Sequence, residues 1–170
     1  VPEDNKFGYT ISLTKPEEFS VKFRKPEWLK GTAVATVNGE SVALKEDDMG
    51  WLYITREWNS GDTIELTMNS ALKVYTLSYE SDYGPTGVFA ILKGPVALAA
   101  SMRSILDDPA EVLNGEKDIT AQLKETDTPL VYKAVADEDL TLKPFYSYDV
   151  NELYYLHMDL YIPLLIHLLL

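Results

Sequence analysis

Apolar and polar residues alternate with a period of two through most of the first hundred positions, as in strands with one buried and one solvated face. "GYTISLT" (8–14) and "FSVKFRKP" (19–26) follow this pattern, with "KPEE" turning between them. "TAVATV" (32–37) and "SVAL" (41–44) flank Asn38-Gly39, a dipeptide that favours positive φ and so predicts a tight hairpin. "WLYITREW" (51–58), "NSGD" (59–62) and "TIELTM" (63–68) predict a second antiparallel pair closed by a glycine-containing turn. A further strand is expected over "ALKVYTLSY" (71–79). The run "VFAILKGPVALAA" (88–100) is too continuously apolar for a half-exposed strand, and predicts one central strand kinked at Gly94-Pro95.

The pattern then changes. In "DDPAEVLNG" (107–115), Asp108 is placed as an N-cap, Pro109 and Glu111 in the first turn and Gly115 as a stop, which predicts one short helix. "ITAQLKETD" (119–127) fits helix and strand equally. "LVYKAVA" (130–136), "LTLKPFYSY" (140–148) and "ELYYLHMDLY" (152–161) return to β-branched and tyrosine-rich strand composition. Turn signals recurring roughly every ten residues define the expected fold class: all-β, an antiparallel β-sandwich of jelly-roll-like type. Residues 1–100 are its core, 101–128 a connecting segment with one short helix, and 129–170 C-terminal strands completing or extending it. No linker rich in glycine and serine separates these parts.

Composition sets limits on partners. With 170 residues, 46% of them hydrophobic, the chain is long enough to bury an independent core. Its net charge of −12 opposes binding to nucleic acid. There are no cysteines, which excludes disulfides, thiolate nucleophiles and thiolate zinc sites, and leaves the compartment open among bacterial cytoplasm, periplasm and exterior. The first residues show no basic-then-apolar leader pattern, so no signal peptide is expected within them. The apolar stretch "YIPLLIHLLL" (161–170) is shorter than the roughly 20 residues a membrane span needs, and is expected to be either a buried last segment or a badly defined terminus.

Candidate chemistry is sparse. The two histidines, His157 and His167, both fall in the apolar C-terminal segment, and no serine-hydrolase, HExxH or phosphate-loop motif occurs. The acidic runs Glu46-Asp47-Asp48 and Asp137-Glu138-Asp139 lie in expected turns and lack calcium-loop spacing, so solvated turns are the expected reading. No catalytic residue, cofactor or metal is assigned. Trp28, Trp51 and Trp58 are the candidate carbohydrate-binding residues, since an indole face suits a sugar ring, although sandwiches often bury a tryptophan. Arg24 is expected to pair with a carboxylate or carbonyl, and Trp28 to fold back on the core.

Taken in order, "FSVKFRKPEWL", "VNGESV", "GWLYITREWNSGDTIELTM" and "GVFAILKGPVALAA" resemble the region that follows the catalytic barrel in glycoside hydrolase family 127, the β-L-arabinofuranosidases. "LTLKPFYSYDVNELYYL" is more weakly similar to that family's closing motif, departing from it at Val150 and at Leu153–Tyr155. The resemblance implies an (α/α)6 barrel elsewhere, holding zinc on cysteines and a glutamate, with one cysteine as nucleophile. This chain has no cysteine to which those roles carry over. The implied function is therefore a non-catalytic β-sandwich accessory domain, partnered by the barrel of a parent enzyme or by a second copy. Two other readings stay open: a free-standing carbohydrate-binding module for a plant-type glycan, and an interaction domain whose segment 161–170 docks in a partner chain.

Overall fold

A computed structural model describes residues 4–81, 84–101, 109–115 and 117–159. The expected N-cap Asp108, the residue His167 and the apolar segment 161–170 lie outside them. The chain divides into two compact units, Val1–Ala71 and Leu72–Leu170. The fold class is all-β and sandwich-like, built almost wholly from antiparallel strands.

The first unit contains β1 (Lys6–Thr10), β2 (Glu17–Arg24), β3 (Val34–Val37), β4 (Glu40–Val42), β5 (Lys45–Glu46), β6 (Trp51–Trp58) and β7 (Thr63–Thr67). They form two sheets, in the orders β1-β7-β3-β4 and β2-β6-β5. Alternation decides which side chains meet between them. Ala35, Val37, Ile64 and Leu66 come from the first sheet, and Phe23, Leu52, Ile54 and Trp58 from the second, to make one core. The expected hairpin at Asn38-Gly39 is present. Both residues take positive φ, 51° and 85°, and β3 pairs with β4 from Ala35↔Val42 to Val37↔Glu40.

The second expected pair is not a hairpin. β6 pairs with β2 and β5, whereas β7 pairs with β1 and β3, so residues 59–62 arch from one sheet to the other. Asp62 holds the arch. Its carboxylate accepts the Asn59 N–H at 2.9 Å and the Asn38 amide at 2.9 Å, while Gly61 takes φ 96° and donates its N–H to the Ile11 carbonyl. The Asn38 side-chain oxygen in turn accepts the Thr63 N–H at 2.8 Å. The hairpin and the arch are thus tied together.

The second unit contains β8 (Leu72–Ser81), β9 (Gly84–Lys93), β10 (Val96–Ser101), β11 (Leu123–Glu125), β12 (Tyr132–Ala134), β13 (Thr141–Pro144), β14 (Tyr154–Tyr155) and β15 (Met158–Asp159). The single kinked strand expected over 88–100 is two strands. Gly94, at φ 60°, and Pro95 reverse the chain, and Lys93 pairs with Val96. The apolar run is uninterrupted because both strands line one core and because β10 buries Leu98, Ala99 and Ala100 in succession, so that strand is covered on both faces there. β9 and β10 pair only near their turn. Beyond it they part, and β15 pairs with β9 at Phe89 and Val88 while β14 pairs with β10 at Ala100 and Ser101. β13, β12 and β11 extend the other edge of β10.

Two short helices cover part of this sheet, α1 (Pro109–Val112), where one helix is expected over 107–115, and α2 (Ile119–Gln122), in the stretch of mixed signal. Asp118 caps α2 by accepting the Thr120 N–H at 2.9 Å. Ala110, Leu113 and Ile119 join Phe89, Ile91, Leu98, Tyr132, Leu142 and Met158 in the core. Gly115 has a packing role rather than a stop role alone: a Cβ there would lie 2.6 Å from Cγ of the Phe89 ring.

Candidate functional site

Two strands of the first unit sit at sheet edges: β1 ends one sheet and β2 the other. Between them is a groove of about 550 Å³, lined by Phe7, Tyr9, Ile11, Phe23, Trp28 and Met68 among others. Its lining includes two cations, Lys22 and Arg24, and no carboxylate, in a chain whose acids outnumber its bases by 27 to 15. The Tyr9 and Phe23 rings meet at 5.3 Å, and Tyr9 is 43% exposed. The groove is therefore mainly an apolar and aromatic surface, with few polar groups to orient a ligand.

The three candidate tryptophans separate sharply. Trp58 is fully buried, and its Nε1–H donates to the Phe19 carbonyl at 3.0 Å. This leaves it no face for a sugar ring. Trp51 lies half-buried on the outward face of β6, with the Arg24 guanidinium 6.0 Å from its ring. Lys22 lies likewise 5.7 Å from the Tyr53 ring. Arg24, expected to pair with a carboxylate or carbonyl, meets an indole instead, because the strand partner of Arg24 is Trp51. Only Trp28 lines the groove, packed as expected against the core of its unit. Trp28 and Tyr9 are thus the two aromatic side chains there that combine exposed surface with a polar atom.

The acidic turns have local jobs. Asp47 accepts from Lys22 at 2.9 Å and from the Trp51 N–H at 3.0 Å, and these contacts hold its carboxyl below the usual carboxylate range. The Asn59 N–H, then the Asn38 amide, do the same for Asp62. Asp137 accepts the Asp139 N–H at 3.0 Å, closing its own turn. Among the described residues no group of three His, Asp or Glu side chains is placed to hold a metal ion. His157 is exposed between β14 and β15.

One polar cluster is not legible from the alternation. In the second unit, Lys143 lies 4.1 Å over the Tyr148 ring and pairs with Glu152 at 3.1 Å, and Glu152 accepts the Asp149 N–H at 2.7 Å. Tyr148 donates to the Ala99 carbonyl at 2.8 Å, and burial raises its phenol well above the usual value. Every one of these groups is engaged by another, so the cluster fastens residues 143–154 to β10. Lys143 and Tyr148 are five residues apart across a turn, a spacing no periodicity flags.

Comparison with known proteins agrees with the motif series. Residues 1–70 match the family model described as the β-L-arabinofuranosidase, GH127 middle domain. The fold of the chain is similar to parts of solved glycoside hydrolases. One, titled a glycoside hydrolase, aligns over 92% of this chain and 30% of its own length, at 19% identity and a TM-score of 0.55. A GH127 β-arabinofuranosidase aligns over 93% and 29%, at 20% identity and 0.54. A GH127 β-L-arabinofuranosidase from Geobacillus stearothermophilus T6 aligns over 93% and 26%, at 22% identity and 0.50. No curated protein sequence matches the chain. The class is thus a β-sandwich-like part of the kind found within glycoside hydrolases. More particularly, residues 1–70 resemble the middle domain of family 127, so the resemblance lies within that family's chain and not only at its C-terminal end. The chain spans less than a third of the length of the solved structures it matches.

Proposed function

We propose that this chain is the non-catalytic β-rich part of a family-127-like glycoside hydrolase and acts by packing on a catalytic barrel. The observation that carries this reading is the match of residues 1–70 to the GH127 middle domain. Two further features support it. A chain without cysteine offers no residue for the thiolate nucleophile and zinc ligands that the resemblance places on the barrel. The groove between β1 and β2 is an apolar surface with few polar groups, which suits burial against protein better than capture of a hydroxyl-rich sugar. The test is an assay of the chain on an aryl β-L-arabinofuranoside. Turnover should not exceed that of a heat-killed control, and turnover above it overturns the reading.

A second reading, a carbohydrate-binding module, is favoured by one observation: Trp28 and Tyr9 line the same groove. Titration with arabinan or a pectin-type glycan distinguishes the two readings. A change in tryptophan emission that is abolished by Trp28→Ala selects the binding module, and unchanged emission at millimolar glycan selects the accessory domain.

A further inference from the structure

The outward face of the sheet β2-β6-β5 gathers cations and aromatic rings into one patch. β2 sets Arg24 opposite Trp51 and Lys22 opposite Tyr53, and β5 sets Lys45 opposite Tyr53 from the other side. Residues directly opposed in a ladder share a face, so two rings and three cations project together. Lys22, Arg24 and Lys45 are exposed, and Trp51 and Tyr53 are half-buried between them. One row further along, the Ser20 and Thr55 hydroxyls meet at 2.6 Å on the same face.

This patch is cationic in a chain of 27 acids and 15 bases. Of the acids in the adjoining turn, Asp47 is taken by Lys22 and by the N–H groups of Met49 and Trp51, and Glu46 by Lys25. Among the described residues neither Arg24 nor Lys45 has a carboxylate partner. Arg24 meets only the Trp51 ring, so the donors of its guanidinium stay uncommitted. The positive charge is also confined to one end of the face. Glu18 opposes Glu57 two rows beyond Lys22 and Tyr53, a distance of about 13 Å along the strands.

We propose that this patch binds a short acidic oligosaccharide, with a sugar ring against Trp51 and Tyr53 and a uronate carboxylate received by Arg24. The chemistry of the face selects that ligand. Aromatic rings with hydroxyls beside them suit the flat, hydroxyl-edged ring of a sugar, whereas a peptide is held by a sheet edge or by pockets for its side chains. A guanidinium without an acid partner adds a fork that matches a carboxylate, which a neutral sugar would leave unused. Lys45 strengthens the local positive field, and the Glu18–Glu57 row repels a long polyanion, so the ligand is short. The proposal goes beyond the accessory-domain reading, and the face is not the one on which Trp28 lines the groove.

Calorimetric titration of the whole chain with trigalacturonate is the test. Saturable binding is expected at millimolar concentration or below, weakening as salt is raised, and the fully methyl-esterified trisaccharide should not bind. Arg24→Gln, a change at an exposed position, should weaken binding by about tenfold, as for loss of one charge-assisted contact. Trp51→Ala should abolish it and Trp28→Ala should leave it unchanged, with circular dichroism checking the fold of each variant. Absence of binding by the unaltered chain overturns the proposal, and so does equal binding of the ester or of the Arg24→Gln variant. Binding lost in Trp28→Ala and retained in Trp51→Ala also overturns it, by moving the ligand to the groove. None of these outcomes bears on the arabinofuranoside assay, so the two readings fail separately.

Discussion

The two units reach antiparallel β structure by opposite means. The first, residues 1–71, encloses its core between two small sheets, and its inward residues alternate cleanly along each strand. The second opens one hairpin into a fork and fills the gap with strands from far along the chain, adding two one-turn helices to complete the core. Alternation is therefore a sufficient guide where both walls of a core are sheets. It fails where a wall is assembled from short pieces whose partners are decided at a distance.

Spectroscopy can separate the two units, because Trp28, Trp51 and Trp58 all lie in the first and the second has none. The largest expected effect comes from Trp58→Ala, which empties the centre of the first core and removes the donor to the Phe19 carbonyl. It should cost about 3–5 kcal/mol, read as a lower denaturant midpoint in tryptophan emission. Leu142→Ala, at a fully buried position in the second core, should cost about 2–5 kcal/mol in circular dichroism yet leave the emission midpoint unchanged. An equal shift in both signals would mean that the units unfold as one, erasing the comparison.

Gly115→Ala should cost the second unit about 1–3 kcal/mol, since the added methyl meets the Phe89 ring. Gly39→Ala, by contrast, meets open space and suffers only from its positive φ, so about 1 kcal/mol should be lost from the first unit. If Gly39→Ala proved the costlier, backbone conformation would outweigh packing here, and the hairpin would matter more than the fork.

The units should also differ at alkaline pH. Burial, and then the Glu125 carboxylate, push the Tyr132 phenol up to about 12. A group whose pKa is raised on folding stabilises fully below its unfolded value, here about 10, and loses that contribution as pH rises through the folded value. The second unit should accordingly weaken between pH 10 and about 12. Tyr132→Phe should remove part of this loss. At the acid end the sign reverses for Asp47 and Asp62, whose lowered values help the first unit above the ordinary carboxylate range of about 4. That help disappears as pH falls through their folded-state values. The smallest effect belongs to the exposed Lys25–Glu46 pair at 2.9 Å, where Lys25→Ala should change stability by about 0–1 kcal/mol.

The candidate site was legible only in part. Three tryptophans stand out in any reading of the sequence, but their spacing does not separate an indole in the core from one beside a guanidinium or one in a groove. Parity puts Trp51 and Leu52 on opposite faces of β6, and it cannot say which neighbour will lie over the outward ring. That depended on β2 pairing in the register that sets Arg24 beside Trp51. The Lys143–Tyr148–Glu152 cluster gave no signal at all, because its members converge through a turn and not through a repeat.

What the sequence determined alone was local. Asn38-Gly39 specifies its hairpin because two successive positive-φ residues suit one turn geometry, and period-two patterning specifies strands because one face must leave water. Tertiary structure decided which strands meet. The Asn59–Asp62 turn serves an arch as readily as a hairpin, and it became an arch because β6 and β7 each bury their apolar face from opposite sides of one core. The run through Gly94-Pro95 became two strands because the chain could satisfy its backbone by folding back on itself. Local propensity sets the backbone angles of a turn, but the choice among partners rests on burial of area contributed by residues far apart in the chain, which no short window contains.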